Sequence, residues 1–437
     1  MIISELNANL RSKNINKQII ISLVLKVLGM ALGFLVIPKT LSILGKDQYG
    51  IWLTILSVVT WLVTFDVGIG NGLRNKLSEA LAIGDHQDSQ KLISTAYISL
   101  ACIGVFIIIL AFCIYPFINW NVIFNTRLIS NHELNLTMFI ITIAIVINFI
   151  ISIINQVMNA FQLTAYTNVL AVLQSVLFLL FLYMLNNSND LFSVTKIYSI
   201  CLIISGLAVS FVFFFNRRDY IPSLKFFDIK KVKEILKLGG GFFIIQIATV
   251  FMFSITSMLI IQLLKPEDVT TYNVAFRLFS VLTMIFSLIV TPYWSAFTEA
   301  NKKKDFVWIK NAIYKLHVML GIVTIGAIIL CLSHQIILDL WLGEKKIVPG
   351  TKVAIIMGIY AIILNWSNIY SHYLNGIGKI KLQTIIAVFQ AITIIPLCFL
   401  FTRYFTLGLF GIMISMTLCM LPFAIIGPVV TFKTLKK

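Results

Sequence analysis

The stretch NAFQLTAYTNVLAVLQ, residues 159–174, returns in altered form as NGIGKIKLQTIIAVFQ at residues 375–390. The first asparagine, an alanine-valine pair and the last glutamine are identical, at an offset of 216 residues. A second echo pairs Glu79-Ala80 and Asp85 with Glu299-Ala300 and Asp305, at an offset of 220. Echoes half a chain apart indicate one ancestral unit used twice, an arrangement that in membrane chains is typical of transporters.

The composition is that of a polytopic membrane protein. Hydrophobic residues make up 59% of the chain, charged residues only 12%, and the mean hydropathy is +0.96. A helix of about 18 or more apolar residues can cross the hydrocarbon core. We therefore predict an all-α fold with twelve transmembrane helices in two six-helix parallel repeats. The predicted spans are 18–44, 51–70, 92–115, 136–158, 167–185, 195–216, 238–264, 270–297, 313–334, 353–374, 382–402 and 406–430.

The distribution of lysine and arginine predicts the orientation. With the N-terminus inside, 23 of the 34 cations fall in cytoplasmic segments, 8 in external segments and 3 within spans. An excess of cations marks the cytoplasmic side, so both termini are predicted to be cytoplasmic. The net charge of +17 then reflects this bias and attraction to anionic lipid. It does not indicate binding to nucleic acid.

The most basic segment separates the two halves. We predict an N-terminal lobe at 1–216, a cytoplasmic basic amphipathic linker at 217–237 and a C-terminal lobe at 238–437. Apolar residues of the linker fall largely on one helical face after a possible N-cap at Asp228. This pattern predicts a short helix on the inner leaflet. The alternative, which the composition favours, is that the segment acts only as an orientation signal and connection.

Polar residues form stripes along three predicted spans, in the fourth and tenth helices at equivalent places of the two halves. The stripes consist of Asn148, Ser152, Asn155 and Asn159 in the fourth span; Asn273, Arg277, Ser280, Ser287 and Thr291 in the eighth; and Asn365, Asn368, His372 and Asn375 in the tenth. Lipid offers such groups no partners. They either line a shared central cavity or form hydrogen bonds between helices.

Charged residues inside the spans are the next candidates, because each costs about 2.5–3.5 kcal/mol at mid-span on insertion scales. Arg277 lies about two turns from the external end of its helix, where it could face a cavity, form a structural ion pair or extend to the membrane surface. Lys26 and Lys39 could bind an anionic ligand or extend to the membrane surface. Asp66 could pair with Arg74 or Lys76, or take part in proton or sodium coupling.

Several other sequence features do not predict a catalytic or metal-binding site. Gly68, Gly70 and Gly72 end a predicted membrane helix, where loosening or close packing explains them better than a dinucleotide loop. The six cysteines and five histidines show no ligand spacing, so neither a metal nor a disulfide framework is predicted. We expect no cofactor and no enzymatic site.

Three segments resemble the bacterial polysaccharide flippases, which include the O-antigen flippases and share a superfamily with the lipid II flippases and the multidrug and toxin extruders. The run Pro38 to Trp52, PKTLSILGKDQYGIW, is similar to the exit of that family's first helix. The segment FDVGIGNGLR, residues 65–74, resembles its second-helix end, and LNGIGK, residues 374–379, its link between helices ten and eleven.

The resemblance implies a flippase of the bacterial inner membrane, with a lipid-linked oligosaccharide as substrate, membrane lipids around it, a possible proton or sodium coupling ion and a possible polysaccharide polymerase partner. A cationic cavity would accept the diphosphate of a polyprenyl carrier during alternating access between the lobes. Candidate cavity residues are Arg277, Lys39, Lys26, Asn273, Asn365, Asn368 and Asn148. Candidate coupling or gate residues are Asp66, Arg74, Asn159 and Asn375.

Two alternatives stay open. A cation-coupled multidrug exporter would share the fold, although carboxylates suited to cationic drugs are scarce within the spans. A membrane glycan polymerase or ligase would need a sizeable external loop, whereas the largest predicted here, residues 116–135, is an ordinary connection.

Overall fold

The chain is almost entirely helical in a computed structural model, which describes residues 2–64, 68–124, 126, 129–185, 190–264, 266–342 and 349–435. Helices account for 91% of the structure, and the described residues include no strand. A helix satisfies its backbone N–H and C=O groups internally, which lipid cannot do, so helices are expected in a chain this apolar.

Fourteen α-helices lie within the described ranges. They are α1 Ile2–Thr64, α2 Ile69–Ile83, α3 His86–Ile114, α4 Trp120–Ile123, α5 Asn131–Ile151, α6 Ile153–Ala160, α7 Thr167–Met184, α8 Leu191–Phe215, α9 Ile229–Leu263, α10 Pro266–Lys302, α11 Phe306–Leu342, α12 Thr351–Gly376, α13 Lys381–Phe399 and α14 Gly408–Leu435. The backbone of α1 turns at Gly45, whose φ of 68° is not helical, so α1 comprises two successive helices.

Eleven helical stretches of the described chain are long and apolar enough to cross a membrane. Each overlaps one of the predicted spans. The remaining prediction, 51–70, includes residues 65–67 and therefore lies partly outside the described residues. The predicted all-helical membrane class is confirmed, and the observed helices mostly extend a few residues beyond the apolar runs.

The duplication seen in the sequence is also present in the backbone turns. Gly84 and Lys304, 220 residues apart, both adopt left-handed φ values, 77° and 57°. In each case the N–H of the next aspartate bonds to the carbonyl five residues back, at 3.0 Å and 2.8 Å. Asp85 and Asp305 then accept the N–H three residues ahead, at 2.9 Å and 3.1 Å, and so cap the next helix.

A second pair of turns repeats at the other offset. Gln162 and Gly378, 216 residues apart, have φ values of 59° and 70°. The following N–H groups bond to the carbonyls of Met158 and Leu374 at 2.8 Å and 2.9 Å. This is the geometry of a Schellman motif, which satisfies the last carbonyls of a helix. Both sequence echoes therefore mark helix ends that fold in the same way.

The helices form two compact units, Lys13–Gly240 and Met1–Ser12 with Gly241–Lys437. The Lys13–Gly240 unit contains two apolar clusters, one including Ile55 and Leu134 and the other including Leu73 and Ile154, all four fully buried. In the other unit the rings of Phe297 and Tyr373 meet edge to face at 5.4 Å. This contact joins α10 and α12 in its core.

The helix that begins in the linker is longer than the short helix that we predicted. The predicted cap is confirmed, since Asp228 Oδ1 accepts the N–H of Lys230 at 2.8 Å. The helix that starts there, however, continues as α9 to Leu263. The predicted short length was wrong because Gly239, Gly240 and Gly241 remain helical instead of ending the helix.

Close packing explains why a glycine occurs at this point of α9. A Cβ atom built on Gly239 would lie 2.5 Å from the carbonyl oxygen of Gly68, and one on Gly72 would lie 2.4 Å from that of Ile235. Only glycine permits backbones to approach so closely. The glycines at 68 and 72 thus serve helix packing, one of the two roles that we predicted.

Candidate functional site

The strongest candidate group lies on one face of α10. Arg277 and Asn273 are both exposed and lie one helical turn apart. Asn273 Nδ2 donates to the carbonyl of Val269 at 2.9 Å, which leaves its oxygen available as an acceptor. None of the ion pairs among the described residues includes Arg277.

A cavity of about 330 Å³ opens beside this face, between α10 and α12 of the same unit. Its walls are mostly apolar, but Ser280, Ser287 and Tyr360 contribute hydroxyl groups. The two serines donate to carbonyls of their own helix at 2.8 Å and 2.7 Å, so their oxygens can still accept hydrogen bonds from a ligand. Both serines belong to the predicted polar stripe.

The asparagines of α12 occupy different environments. Asn365 follows Leu364 of the cavity wall and is fully buried, and neither polar atom of its side chain has a partner in the described part of the chain. An unpaired buried polar group costs about 1–3 kcal/mol. Asn368 is half-buried, and its carbonyl contacts His372 Nδ1 at 2.8 Å.

The asparagines that end the polar stripes take part in hydrogen bonds. Asn375 Oδ1 accepts Gln383 Nε2 of α13 at 2.9 Å, a bond between helices. Asn159 Nδ2 donates to Gln156 Oε1 at 3.3 Å within its own helix. Asn375 therefore contributes to packing between helices, whereas Asn159 Oδ1 is buried without a partner among the described residues.

Three further candidates belong to the Lys13–Gly240 unit. Lys26 is half-buried. Lys39 is also half-buried, and its ammonium lies 4.5 Å from the centre of the Tyr183 ring. Asn148 is buried, and its Oδ1 has no partner among the residues that the structure describes. Asn148 and Asn365 therefore both have a buried side-chain oxygen without a partner among the described residues, in the equivalent fourth and tenth predicted helices.

The remaining candidates are Arg74 and Asp66. Arg74 is buried in α2, and desolvation lowers the pKa of its guanidinium to about 9, so that it remains a cation at neutral pH. Asp66 lies outside the described residues. The predicted pairing of these two residues therefore stays a prediction.

Sequence reasoning missed two groups. His317 of α11 contacts the hydroxyl of Tyr370 at 2.9 Å and the carbonyl of Ile313 at 2.8 Å. It also did not predict the close contacts of Gly68 with Gly239 and of Gly72 with Ile235, although both glycine clusters are visible in the sequence. No cluster of three or more potential metal ligands occurs in the part of the chain described by the structure.

The fold is that of a class of membrane transporters. A crystal structure of MATE in the bent conformation has a TM-score of 0.79, with 16% identity over 98% of this chain and 97% of that chain. A MOP superfamily transporter from Pyrococcus furiosus has a TM-score of 0.74, with 16% identity over 97% of each chain. The MATE structures contain twelve helices in two repeats, as we predicted for this chain.

The chain belongs to the polysaccharide biosynthesis protein family, which matches residues 15–298. The MatE family also matches residues 243–400. A Yersinia pseudotuberculosis protein named for O-antigen export is 24% identical over 84% of each chain. A Salmonella typhimurium protein named as an O-antigen transporter is 26% identical over 82% of each chain. The resemblance seen in the sequence is thus confirmed, and these relatives are named as transporters or exporters, not as enzymes.

Proposed function

We propose that this protein is a flippase that moves a polyprenyl-diphosphate-linked oligosaccharide from the cytoplasmic to the outer leaflet of the bacterial inner membrane. The oligosaccharide would be a repeat unit of a surface polysaccharide such as O-antigen or capsule. The family match and the relatives named for O-antigen export support this substrate class.

The proposal rests mainly on the position of Arg277. It is exposed within a membrane-crossing stretch, Thr271–Lys302, and forms no ion pair among the described residues. A guanidinium left facing lipid would cost about 2.5–3.5 kcal/mol, so facing water or an anionic ligand is favoured. A diphosphate suits a guanidinium because its oxygens accept paired, charge-assisted hydrogen bonds.

Other residues would contact the uncharged part of the substrate or supplement the charge. Asn273 and the hydroxyls of Ser280 and Ser287 lie on the Arg277 helix and offer acceptors to sugar hydroxyls. Further sugar contacts are proposed for Asn365, Asn368 and Asn148. Lys26 and Lys39 would add positive charge, and the lipid tail would remain in the bilayer.

Alternating access would expose this site to each side of the membrane in turn. The moving bodies would be the lobes 1–216 and 238–437, with both termini cytoplasmic. Asp66, Arg74, Asn159 and Asn375 would act in gating or in coupling to protons or sodium. A polysaccharide polymerase would then use the translocated unit.

Transport by purified protein in proteoliposomes tests the proposal. The measurement is translocation of a lipid-diphosphate-linked oligosaccharide between leaflets. Replacing Arg277 by alanine removes the main anion contact, and we expect transport to fall at least tenfold, equivalent to about 1.4 kcal/mol. The Arg277→Lys variant keeps the charge but loses paired hydrogen bonding, so it should fall between wild type and Arg277→Ala.

Arg403→Ala provides a matched control, because Arg403 is an exposed arginine of the same unit outside the polar face of α10. It should transport at the wild-type rate. Unchanged transport in Arg277→Ala would remove that residue from the site, and no transport by the wild-type protein would contradict the flippase proposal itself.

A multidrug exporter is the second candidate, favoured by the MatE match over residues 243–400 and the similarity to MATE structures. Its drugs would be cations, which the cationic face of α10 disfavours. Protection of cells against cationic drugs, with surface polysaccharide unchanged when the gene is deleted, would support the exporter over the flippase.

A further inference from the structure

A groove of about 360 Å³ lies in the Lys13–Gly240 unit, away from the polar stripes. Its floor is apolar, and a single charged residue, Arg217, stands at its edge. Its volume falls within the range of about 300–1,000 Å³ found for small-ligand pockets. The apolar lining includes Leu163, Val169, Leu173, Val209 and Val212.

Two aromatic rings hold Arg217 in place. Its guanidinium carbon lies 5.2 Å from the ring centre of Phe161 and 4.9 Å from that of Phe213. The two rings themselves meet edge to face at 5.4 Å. A guanidinium held by cation–π attraction to aromatic rings can still donate its N–H groups to a ligand, and it loses little conformational freedom on binding.

The donors of Arg217 have no acceptor within the protein as far as the structure describes it. No side-chain hydrogen bond or ion pair of Arg217 occurs among the described residues. The adjacent acid, Asp219, is exposed and forms none of the ion pairs. Asn216, also at the groove, donates its Nδ2 to the carbonyl of Val212 at 2.8 Å, which leaves its Oδ1 as an acceptor.

The position of the groove indicates a lipid as its occupant. Arg217 lies two residues beyond the end of α8, at the membrane boundary that the cation distribution assigns to the cytoplasmic side. Phe211, Val212 and Phe215 expose between 58% and 69% of their surface next to it, as lipid-facing side chains do. The cytoplasmic leaflet is rich in anionic lipid, which complements the exposed cations of Arg218, Lys225 and Lys230 nearby.

We propose that this groove binds one anionic phospholipid of the cytoplasmic leaflet. Arg217 holds the phosphate, Asn216 accepts a hydrogen bond from the head group, and the apolar floor holds the first part of an acyl chain. The site is independent of the proposed transport function, because none of its residues belongs to the polar stripes or the cavity beside α10.

Lipid titration of the full-length protein in detergent tests this proposal. Native mass spectrometry would follow binding of phosphatidylglycerol, with phosphatidylcholine of the same chains as the neutral probe. One basic residue near an anionic membrane surface contributes about fivefold in affinity, so Arg217→Gln should weaken binding of the first phosphatidylglycerol by about that factor. Phosphatidylcholine should bind weakly to wild type and variant alike.

Arg218→Gln is the matched control. Arg218 is the next residue, carries the same charge and also stacks on a ring, with its guanidinium carbon 5.3 Å from the centre of Phe215, but it does not line the groove. It should change binding less than twofold. A second variant, Leu173→Trp, fills the groove and should weaken binding with both arginines intact.

Three results would overturn the proposal. Equal losses in Arg217→Gln and Arg218→Gln would indicate diffuse electrostatic attraction without a site. Equal binding of phosphatidylcholine and phosphatidylglycerol would show that the groove does not recognise the negative charge of the head group. Displacement of phosphatidylglycerol by an equimolar polyprenyl phosphate would assign the groove to an isoprenoid lipid instead.

Discussion

The two repeats end their helices alike but pack them differently. Gly84 and Lys304 form the same left-handed turn, and each precedes a capping aspartate. The packing differs at residue 72. This residue is a glycine in contact with Ile235, whereas the residue 220 positions later, Pro292, lies within the uninterrupted helix α10. Turn geometry depends on nearby residues and is therefore kept in both repeats. Helix contacts depend on the neighbouring helices, which differ between the two halves.

The charges differ as well. Arg277 would have its counterpart between Ser57 and Trp61, where the sequence contains no cation. Arg74 in α2 corresponds at the 220-residue offset to Trp294 of α10. The two repeats thus share a helical scaffold but differ in charge. This suits a transporter in which the symmetric scaffold allows the movement and the asymmetric charges bind an anionic substrate.

The largest expected effect breaks the close backbone contact between Gly68 and Gly239. At the 220-residue offset Gly68 corresponds to Leu288, so this position differs between the repeats. A Cβ on Gly68 would lie 1.8 Å from the carbonyl oxygen of Gly239, and Gly68 also has a φ of +75°. Gly68→Ala should therefore lose about 3 kcal/mol or more of stability, combining overpacking with left-handed strain. Chemical unfolding of the detergent-solubilised protein measures the loss.

Gly84→Ala is the control for that variant. Gly84 has a φ of +77° but nothing within 4 Å of its built Cβ, so only strain remains, about 1–2 kcal/mol. Equal losses at the two positions would show that the contact with Gly239 does not stabilise the fold.

The next effect tests whether the matching asparagines serve a ligand or only packing. Asn365→Leu removes a buried amide without partners among the described residues, so stability should stay equal or rise by about 1 kcal/mol while transport falls. Asn148→Leu makes the same comparison in the first repeat. Retained transport in both variants would leave the amides without a role in substrate binding.

A smaller effect tests the equivalence of the caps. Asp85→Ala and Asp305→Ala each remove a side-chain cap and should each cost about 1 kcal/mol. The two losses, compared by unfolding under one condition, should agree within about 0.5 kcal/mol. A loss of stability in only one of the two variants would mean that the cap stabilises only one of the two halves.

The smallest effect sharpens the comparison of the turns themselves. Lys304 is exposed and holds the left-handed φ that Gly84 adopts without strain. Lys304→Gly should therefore stabilise the protein by up to about 1 kcal/mol. The reverse exchange, Gly378→Gln, which imitates Gln162 of the first repeat, should destabilise it by a similar amount in the same assay.

Much of the fold was predictable because its causes are local. Apolar runs predicted all eleven of the described membrane stretches, since the length of a span depends only on hydrocarbon thickness and helical rise. The echoes around Asp85 and Asn159 predicted the duplication because capping residues act within a few positions of themselves. The cap at Asp228 was found for the same reason.

The candidate site was only partly predictable. The stripe on α10 was visible as spacing, and two of its serines line a real cavity. Its other wall, with Tyr360, depends on how α12 packs against α10, which spacing does not reveal. The bond between Asn375 and Gln383 likewise joins two helices, so its packing role could not be seen in either one alone.

The amino-acid sequence by itself determined the membrane class, the eleven described membrane stretches, the internal repeat and the family, because hydropathy, capping and short motifs act over short distances along the chain. Tertiary structure alone decided that the linker helix continues through three glycines and packs on Gly68, that Asn365 is buried among the described residues without a partner, and that Arg217 lies over two aromatic rings. Each of these depends on atoms brought together from distant positions, where contact geometry, not residue type, sets the energy.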